Sequence, residues 1–159
     1  MDACAIGQVV LEEMLRGSEC SLMALCDGTI AVPLPIAQDH KRIGEGDLGA
    51  NTGGMGAYAP VSVPYALDEL SATFIQPVIG HFARLGTPYK GVLYAGLMLT
   101  KEGPRLLEYN CRFGDPEAQV LLSLISTDLV EIALACVSGT LESVRVQTKP
   151  ISAVAVVMT

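Results

Sequence analysis

Short runs of apolar residues separated by turn residues mark the first part of the chain. Residues 8–13, 19–26 and 29–34 have the length and composition of buried strands. Asp27 and Gly28, between the last two runs, predict a hairpin. Regular spacing then disappears over residues 35–60, where six of the sixteen glycines lie between Gly44 and Gly56. Since long loops in compact domains are often functional, we expect a functional loop there.

Helical spacing returns over residues 63–85. Apolar residues three or four positions apart form one stripe, made of Leu67, Leu70, Phe74, Val78, Phe82 and Leu85. Pro77 lies within the stripe and predicts a kink or a break, because proline cannot donate the helical hydrogen bond. Gly86 predicts the end of the helix.

The last third of the chain predicts three more strands and one helix. Residues 91–100 and 105–110 are strand-like and are joined by a turn over residues 101–104. Thr127 is the expected N-cap of a helix that runs to Ser138, with Gly139 just beyond its end. Residues 152–158 predict a final strand. Strands joined by short turns, with helices packed on them, favour an α+β fold with a largely antiparallel sheet.

The chain stops on that last apolar strand, so we expect it to be truncated. We expect residues 1–140 to form one subdomain. Residues 141–159 would then be a linker and the first strand of a further, C-terminal domain.

Composition excludes several classes of protein. Half of the 159 residues are hydrophobic and 17% are charged, which excludes a disordered chain. No run of about 18 apolar residues predicts a membrane span, and no signal peptide is recognisable, so we expect a cytoplasmic protein. The net charge of −7 argues against a nucleic-acid partner. Five cysteines at irregular spacing, Cys4, Cys20, Cys26, Cys111 and Cys136, indicate free thiols.

The segment from residue 106 to 119, LLEYNCRFGDPEAQ, contains the most candidate functional side chains. On a strand, Glu108 and Asn110 point to the same face and offer two hard oxygen ligands, which suit Mg²⁺ or Mn²⁺. Arg112 has the planar shape that binds phosphate or carboxylate. Asp115 and Glu117 follow in a Gly-Pro turn. A strand end with a solvated charged turn is the alternative.

Two further segments are weaker candidates. Residues 38–58, QDHKRIGEGDLGANTGGMGAY, combine cations with glycines that let backbone N–H groups approach an anion. No Walker or Rossmann motif is present, and a flexible surface loop is the alternative. Residues 11–15, with Glu19 shortly after, could offer backbone groups to an adenine and a carboxylate to a ribose. Acidic residues after a strand are common, so ordinary surface charge stays open there.

Taken together and in this order, the segments resemble one family. VLEEMLRGSE, QDHKR, NTGGMGAY, GVLYAGLMLT and LEYNCRFGDPEAQ are similar to the phosphoribosylamine–glycine ligases of the ATP-grasp superfamily, and the similarity extends over residues 7–158. It implies an ATP-grasp-like subdomain within the α+β fold. It also implies a ligase of purine biosynthesis that joins glycine to 5-phosphoribosylamine through glycyl phosphate, with ATP and Mg²⁺ or Mn²⁺ as cofactors.

The resemblance also implies roles for single residues. Glu108 and Asn110 would bind the metal ion, and Arg112 and Asp115 would be catalytic. Four residues would hold the nucleotide: Glu12, Glu13, Leu15 and Glu19. The substrate-binding residues would be Asp39, His40, Lys41, Arg42, Asn51, Thr52, Gly53, Gly54, Met55 and Gly56.

Parts of the family pattern have no counterpart in this sequence. Its N-terminal domain and the glycine-rich subdomain that covers the triphosphate are missing, so we expect partners in the missing domains of the same enzyme and negligible turnover by this chain alone. A catalytically silent nucleotide-binding or interaction module is the competing hypothesis, and a purely structural role is the third.

Overall fold

The computed structural model describes residues 9–46 and 48–158. Its strands are β1 (Ser18–Asp27), β2 (Ala31–Pro33), β3 (Gln38–Gly44), β4 (Leu48–Ala59), β5 (Lys90–Thr100), β6 (Gly103–Asn110) and β7 (Ala153–Val156). Its α-helices are α1 (Leu67–Leu70), α2 (Gln76–Arg84), α3 (Glu117–Leu124) and α4 (Leu129–Ser138). A π-helical turn, Ser71–Ile75, joins α1 to α2, and a 3₁₀ turn, Leu141–Ser143, follows α4.

The strands form two antiparallel sheets. The first has the order β2-β1-β5-β6 and the second has the order β3-β4-β7. Every pair of neighbouring strands is antiparallel. The predicted α+β fold with largely antiparallel sheets is therefore confirmed. The predicted division of the chain at residue 140 stays a prediction.

Alternation along β1 builds a core on each face of the first sheet. Leu22, Ala24 and Cys26 pack with the helical segment that runs from α1 to α2. Met23 and Leu25 point the other way and pack with α3 and α4. The first sheet is thus covered on both faces over most of its area.

Register across the first sheet places polar residues on its second face. Ser21 of β1 pairs with Gly96 of β5, and Gly96 pairs with Glu108 of β6. One step along, Tyr94 pairs with Asn110. Because cross-strand partners project to the same face, these side chains surround one patch. That patch lies beside the second sheet, since Ser21 also forms an isolated bridge to Ala37, just before β3.

The prediction of a strand over residues 8–13 is wrong for residues 9–13, which the structure describes. Residues 9–17 have no regular structure, and Val10 and Leu11 are 81% and 94% exposed. Gln8 lies outside the described residues. An apolar run becomes a strand only where a neighbouring strand offers hydrogen-bond partners, and none of the described strands pairs with this segment.

The long loop predicted over residues 35–60 is also wrong, because most of it forms β3 and β4. The pairing is irregular, with register shifts between His40 and Arg42 and between Arg42 and Gly44. Gly49 and Gly54 have φ of +91° and +128°, which only glycine adopts readily. Most of β3 is exposed or half-buried. Glycines and bulges therefore removed the alternation by which a strand is recognised.

The first helical region agrees with the prediction in extent and differs in detail. The break expected at Pro77 is the π-helical turn, after which α2 starts with the proline in its first turn. The predicted strands over residues 91–100 and 105–110 are confirmed.

Two predictions near α4 need correction. Its N-cap is Asp128 rather than Thr127, because the Asp128 carboxylate accepts from the N–H groups of Val130 and Glu131. Thr127 instead donates to Arg145 O, at 3.1 Å, and accepts from Gln147 N, at 2.8 Å. Helix α3 was not predicted, because it follows the charged turn without a recognised start signal.

Four of the cysteines are free, and Cys4 lies outside the described residues. Cys20, Cys26 and Cys136 are buried, and Cys111 is exposed. Burial raises the pKa of the Cys20 thiol to about 11, so it stays protonated and unreactive near neutral pH. Across the described residues, no helix has both the length and the apolar character needed to cross a membrane.

Candidate functional site

A charged cleft lies on the second face of the first sheet, next to β3 and β4. It consists of two adjoining recesses that share Asp39, Lys41, Tyr94 and Glu108. The central recess has a volume of about 260 Å³ and is also lined by Glu12, Glu19, Cys20, Ser21, Gly96, Leu97 and Leu107. The small recess has a volume of about 90 Å³ and is also lined by Gly53, Asn110, Arg112, Gly114, Asp115 and Glu117.

Glu108 and Asn110 project from the end of β6 to the same face, as strand alternation predicts. The Asn110 amide donates to Glu108 Oε1 at 3.0 Å. Among the described residues, no group of three or more His, Cys, Asp or Glu side chains could hold a metal ion. The two oxygen ligands nevertheless fit Mg²⁺ or Mn²⁺, because Mg²⁺ is often bound by one or two protein ligands together with water and substrate phosphates.

Lys41 connects two carboxylates on the opposite wall of the cleft. Its Nζ lies 2.9 Å from Glu19 Oε2 and 3.8 Å from Asp39 Oδ2. Burial opposes the charge on Lys41, but the bond to Glu19 and the charge of Asp39 outweigh it and raise the pKa of the amine. Burial also raises the pKa of Asp39, whose side chain is 5% exposed, although Lys41 acts against this shift. Lys41 is therefore the cation that pairs with both carboxylates on this wall of the cleft.

Glu117 is a residue of the small recess that sequence reasoning did not assign to the site. It is 2% exposed, and its Oε1 accepts from Ser21 Oγ at 2.8 Å. Tyr94 Oη lies 3.0 Å from the same Ser21 oxygen. Since the single Ser21 proton is used on Glu117, Tyr94 donates to Ser21. The three side chains form a row of hydrogen bonds, Tyr94–Ser21–Glu117, that joins β1, β5 and α3. The one feature of the sequence that could have predicted it is the acidic residue in the first turn of α3.

Arg112 and Asp115 lie on the turn between β6 and α3. Arg112 is exposed and its Nη1 donates to Phe113 O at 2.9 Å. Asp115 accepts from Gln119 Nε2 at 2.9 Å. This turn packs against β4, because a Cβ atom on Gly54 would collide with the ring of Pro116. The structure thus brings Arg112 and Asp115 together with Glu108, Asn110 and Gly53.

The rest of the predicted substrate loop is divided between cleft and scaffold. His40, Arg42 and Asn51 line an outer recess of about 420 Å³ next to Glu19. The Thr52 hydroxyl donates to Lys41 O at 2.9 Å and so ties β4 to β3. Met55 and Gly56 lie next to β7, where Met55 O accepts from Val157 N and Gly56 pairs with Val156. Met55 and Gly56 are therefore not among the residues that line the recesses.

The predicted nucleotide residues lie around the far end of the central recess. Glu12 and Glu19 line it. Glu12 also lines an edge recess of about 480 Å³, which contains Glu13, Leu15 and Phe74. Arg105 Nη2 lies 3.2 Å from Glu13 Oε2. The two recesses share Leu107 as well as Glu12, so the four predicted residues surround one continuous surface.

The two sheets and the cleft between them define a protein of the ATP-grasp fold class. An L-amino acid ligase from Bacillus licheniformis has the same fold, with a TM-score of 0.56 over 89% of this chain and 35% of that chain. The identity is 18%, so this similarity shows the fold alone.

The chain belongs to the family of phosphoribosylglycinamide synthetases, because the model of their ATP-grasp (A) domain matches residues 2–118. The phosphoribosylamine–glycine ligase of Mesorhizobium japonicum is 47% identical over 167 residues, which cover 99% of this chain and 39% of that protein. The crystal structure of the phosphoribosylamine–glycine ligase from Thermotoga maritima has a TM-score of 0.76 and 37% identity, over 91% of this chain and 37% of that one. The chain thus spans about two fifths of the length of these relatives.

Proposed function

We propose that the charged cleft is the nucleotide- and metal-binding wall of a ligase that joins glycine to 5-phosphoribosylamine. The products would be glycinamide ribonucleotide, ADP and phosphate. The observation that carries the proposal is the Glu108–Asn110 pair, which faces a cleft that also contains Arg112. The names of the relatives support the reaction, and the further domains of the same enzyme would supply the other wall.

The nucleotide would lie along the central recess and the edge recess. The backbone near Leu15, with Glu12 and Glu13, would hold the adenine, and Glu19 would accept from the ribose hydroxyls. Supporting this, Glu12 lines both recesses and the Glu19 side chain is 41% exposed on the cleft side. Lys41 donates to the Glu19 carboxylate at 2.9 Å and would hold it in place for this role.

Glu108 and Asn110 would hold Mg²⁺ or Mn²⁺. A metal ion bound there would neutralise charge on the phosphates during phosphoryl transfer. The Asn110 amide nitrogen already donates to Glu108, which leaves the Asn110 oxygen as its ligand atom. The protein thus offers one carboxylate oxygen and one amide oxygen. Water and substrate oxygens would supply the remaining ligands of the metal ion.

Arg112 and Asp115 would act on the acyl group. The glycine carboxylate would take the terminal phosphoryl group of ATP to give glycyl phosphate, and the amine of 5-phosphoribosylamine would then displace the phosphate. The Arg112 guanidinium would stabilise the negative charge on the transferring group. Asp115 would help to place the amine or the glycine. Both residues line the small recess beside Glu108 and Asn110, which supports these roles.

Residues 39–42 and 51–56 would bind substrate and shield the acyl phosphate from water. Asp39, Lys41 and Gly53 are the members of this set that line the small recess. His40, Arg42 and Asn51 would act from the outer recess, where a larger substrate would extend. Thr52, Gly54, Met55 and Gly56 would hold the two strands in place.

A chimeric enzyme tests the proposal. This chain would replace the matching segment of the Mesorhizobium japonicum ligase, and ADP release would be measured with both substrates. We expect activity that depends on glycine, and a loss of about a hundredfold or more in the Glu108→Ala variant, because the metal contribution is worth several kcal/mol. The exposed Glu142→Ala variant is the matched control and should keep full activity. A folded chimera that binds ATP and releases no ADP would contradict the proposal and favour a silent nucleotide-binding module.

A further inference from the structure

Gly53 differs from the other glycines of the second sheet. Gly49 and Gly54 have the left-handed φ values given above, and a Cβ atom on Gly56 would approach the backbone of Ala155. Gly53 has neither constraint. Its φ lies outside the left-handed region, and a Cβ atom built on it meets no atom within 4 Å. The fold itself would therefore accept a larger residue at this position.

The space in front of Gly53 is the small recess. Its volume of about 90 Å³, against about 260 Å³ for the central recess, suits a small ligand. Gly53 is one of the residues that line this recess, and a methyl group on it would meet no neighbouring atom within 4 Å. The wall of the recess is therefore bare backbone at Gly53, although the fold does not require glycine there.

Charges around the small recess match a molecule with one ammonium group and one carboxylate. Glu117 is fixed as a hydrogen-bond acceptor by Ser21, and the Asp39 carboxylate is almost fully buried beside it. An ammonium group is a compact donor that could approach either oxygen pair. Arg112, on the same recess, has the fork that binds a carboxylate. The size and the charges together select a small zwitterionic amino acid.

We infer that Gly53 is a specificity-determining residue, whose missing side chain leaves the space that a small amino acid fills in the recess between Asp39, Glu117 and Arg112. This inference rests on the proposed function, in which glycine is the acyl donor. It adds a reason for the choice of amino acid, because any side chain on the ligand or on residue 53 competes for the same volume.

The test measures the binding of isotope-labelled glycine to the 159-residue chain by NMR, in the presence of Mg²⁺ and ATP. We expect the wild type to prefer glycine to L-alanine. Gly53→Ala should weaken glycine binding by about tenfold or more, since one methyl group in a tight site has an effect of that size. Its melting temperature and its affinity for Mg²⁺–ATP should be unchanged. Gly80→Ala, on α2 and outside the cleft, is the matched control and should change none of these quantities.

The other possible outcomes count either against the role of Gly53 or against the proposed function. Glycine affinity within twofold of wild type in Gly53→Ala, or no glycine binding by a wild type that binds Mg²⁺–ATP, would overturn the inference and leave the proposed function standing. Equal weakening of glycine and Mg²⁺–ATP would also overturn it, because the variant would then have distorted the whole cleft. Failure of the folded wild type to bind Mg²⁺–ATP would count against the proposed function itself, and with it against the inference.

Discussion

Ser21 lies beneath the charged cleft, where its hydroxyl donates to Glu117 and accepts from Tyr94. All three side chains are less than 10% exposed. Ser21→Ala would leave the buried Glu117 carboxylate without this donor, so we expect the free energy of unfolding to fall by about 1–3 kcal/mol. Urea titration measures the change.

Tyr94→Phe provides the comparison, because it removes the outer hydrogen bond of the chain and keeps the bond from Ser21 to Glu117. Its cost should be the smaller of the two, about 0.5–1.5 kcal/mol. A Ser21→Ala variant as stable as the wild type would show that Glu117 does not depend on the serine.

Asp27 is the second buried carboxylate with a clear structural role. Its Oδ1 accepts from Thr29 N, Thr29 Oγ1 and Ile30 N, and its Oδ2 accepts from Leu141 N. Burial alone would raise the pKa of Asp27, but the hydrogen bonds from Ile30, Thr29 and Leu141 outweigh it and lower the pKa. A lowered pKa stabilises the fold above the unfolded value of about 4, and this contribution is lost as the pH falls through the folded value.

Asp27→Asn should therefore cost about 2–3 kcal/mol at pH 7, and the difference from wild type should shrink below about pH 4. Chemical unfolding at a series of pH values measures this dependence. Glu142→Gln, an exposed change of the same kind, is the control and should leave the free energy of unfolding at pH 7 nearly unchanged. A cost for Asp27→Asn that stays constant from pH 7 to pH 3 would contradict the assignment.

Strand β4 is fixed against the turn before α3 by Gly54. A Cβ atom there would collide with Pro116, and the φ of +128° strains any other residue. Gly54→Ala should lower the free energy of unfolding by about 1–3 kcal/mol. Thermal unfolding beside Gly53→Ala, which has the same chemistry one residue away, measures the effect. Equal melting temperatures for the two variants would contradict the packing described for this turn.

Helix α4 is capped at both ends. Asp128 accepts from Val130 N at 2.7 Å and from Glu131 N at 3.2 Å, and Gly139 ends the helix with a φ of +75°. Asp128→Ala should cost about 1 kcal/mol, as the loss of an N-cap does. Glu142→Ala, exposed and outside α4, is the control in the same denaturant titration. A neutral Asp128→Ala variant would argue for a different start of the helix.

Elements with regular alternation could be predicted from the sequence, and those whose geometry depends on glycine could not. Strands β1 and β5 have apolar runs that are largely buried, and β6, although mostly exposed, follows β5 after a recognisable turn, so all three are visible locally in the sequence. Strands β3 and β4 are built around bulges and glycines, which give no such pattern. Helix α3 was missed because Pro116, rather than a capping side chain, precedes it.

At the scale of the whole molecule, the cleft joins parts of the chain that lie far apart in sequence. Glu108 and Asn110 could be paired from the sequence because they are two residues apart on one strand. Ser21 and Glu117 are 96 residues apart, and only the packing of α3 against the first sheet brings them together. Asp39 and Lys41 were predicted as substrate residues, but the ion pair between Lys41 and Glu19 depends on how β3 lies beside β1.

The central claim is that the Glu108–Asn110 face of the cleft binds a nucleotide together with a metal ion. Calorimetric titration of ATP into the 159-residue chain, with and without Mg²⁺, tests it most directly, beside a variant that carries Glu108→Ala and Asn110→Ala. The account predicts binding that depends on Mg²⁺ and is lost in the double variant, while both proteins keep the same fold by circular dichroism. ATP binding that needs no Mg²⁺, or that survives in the double variant, would contradict it.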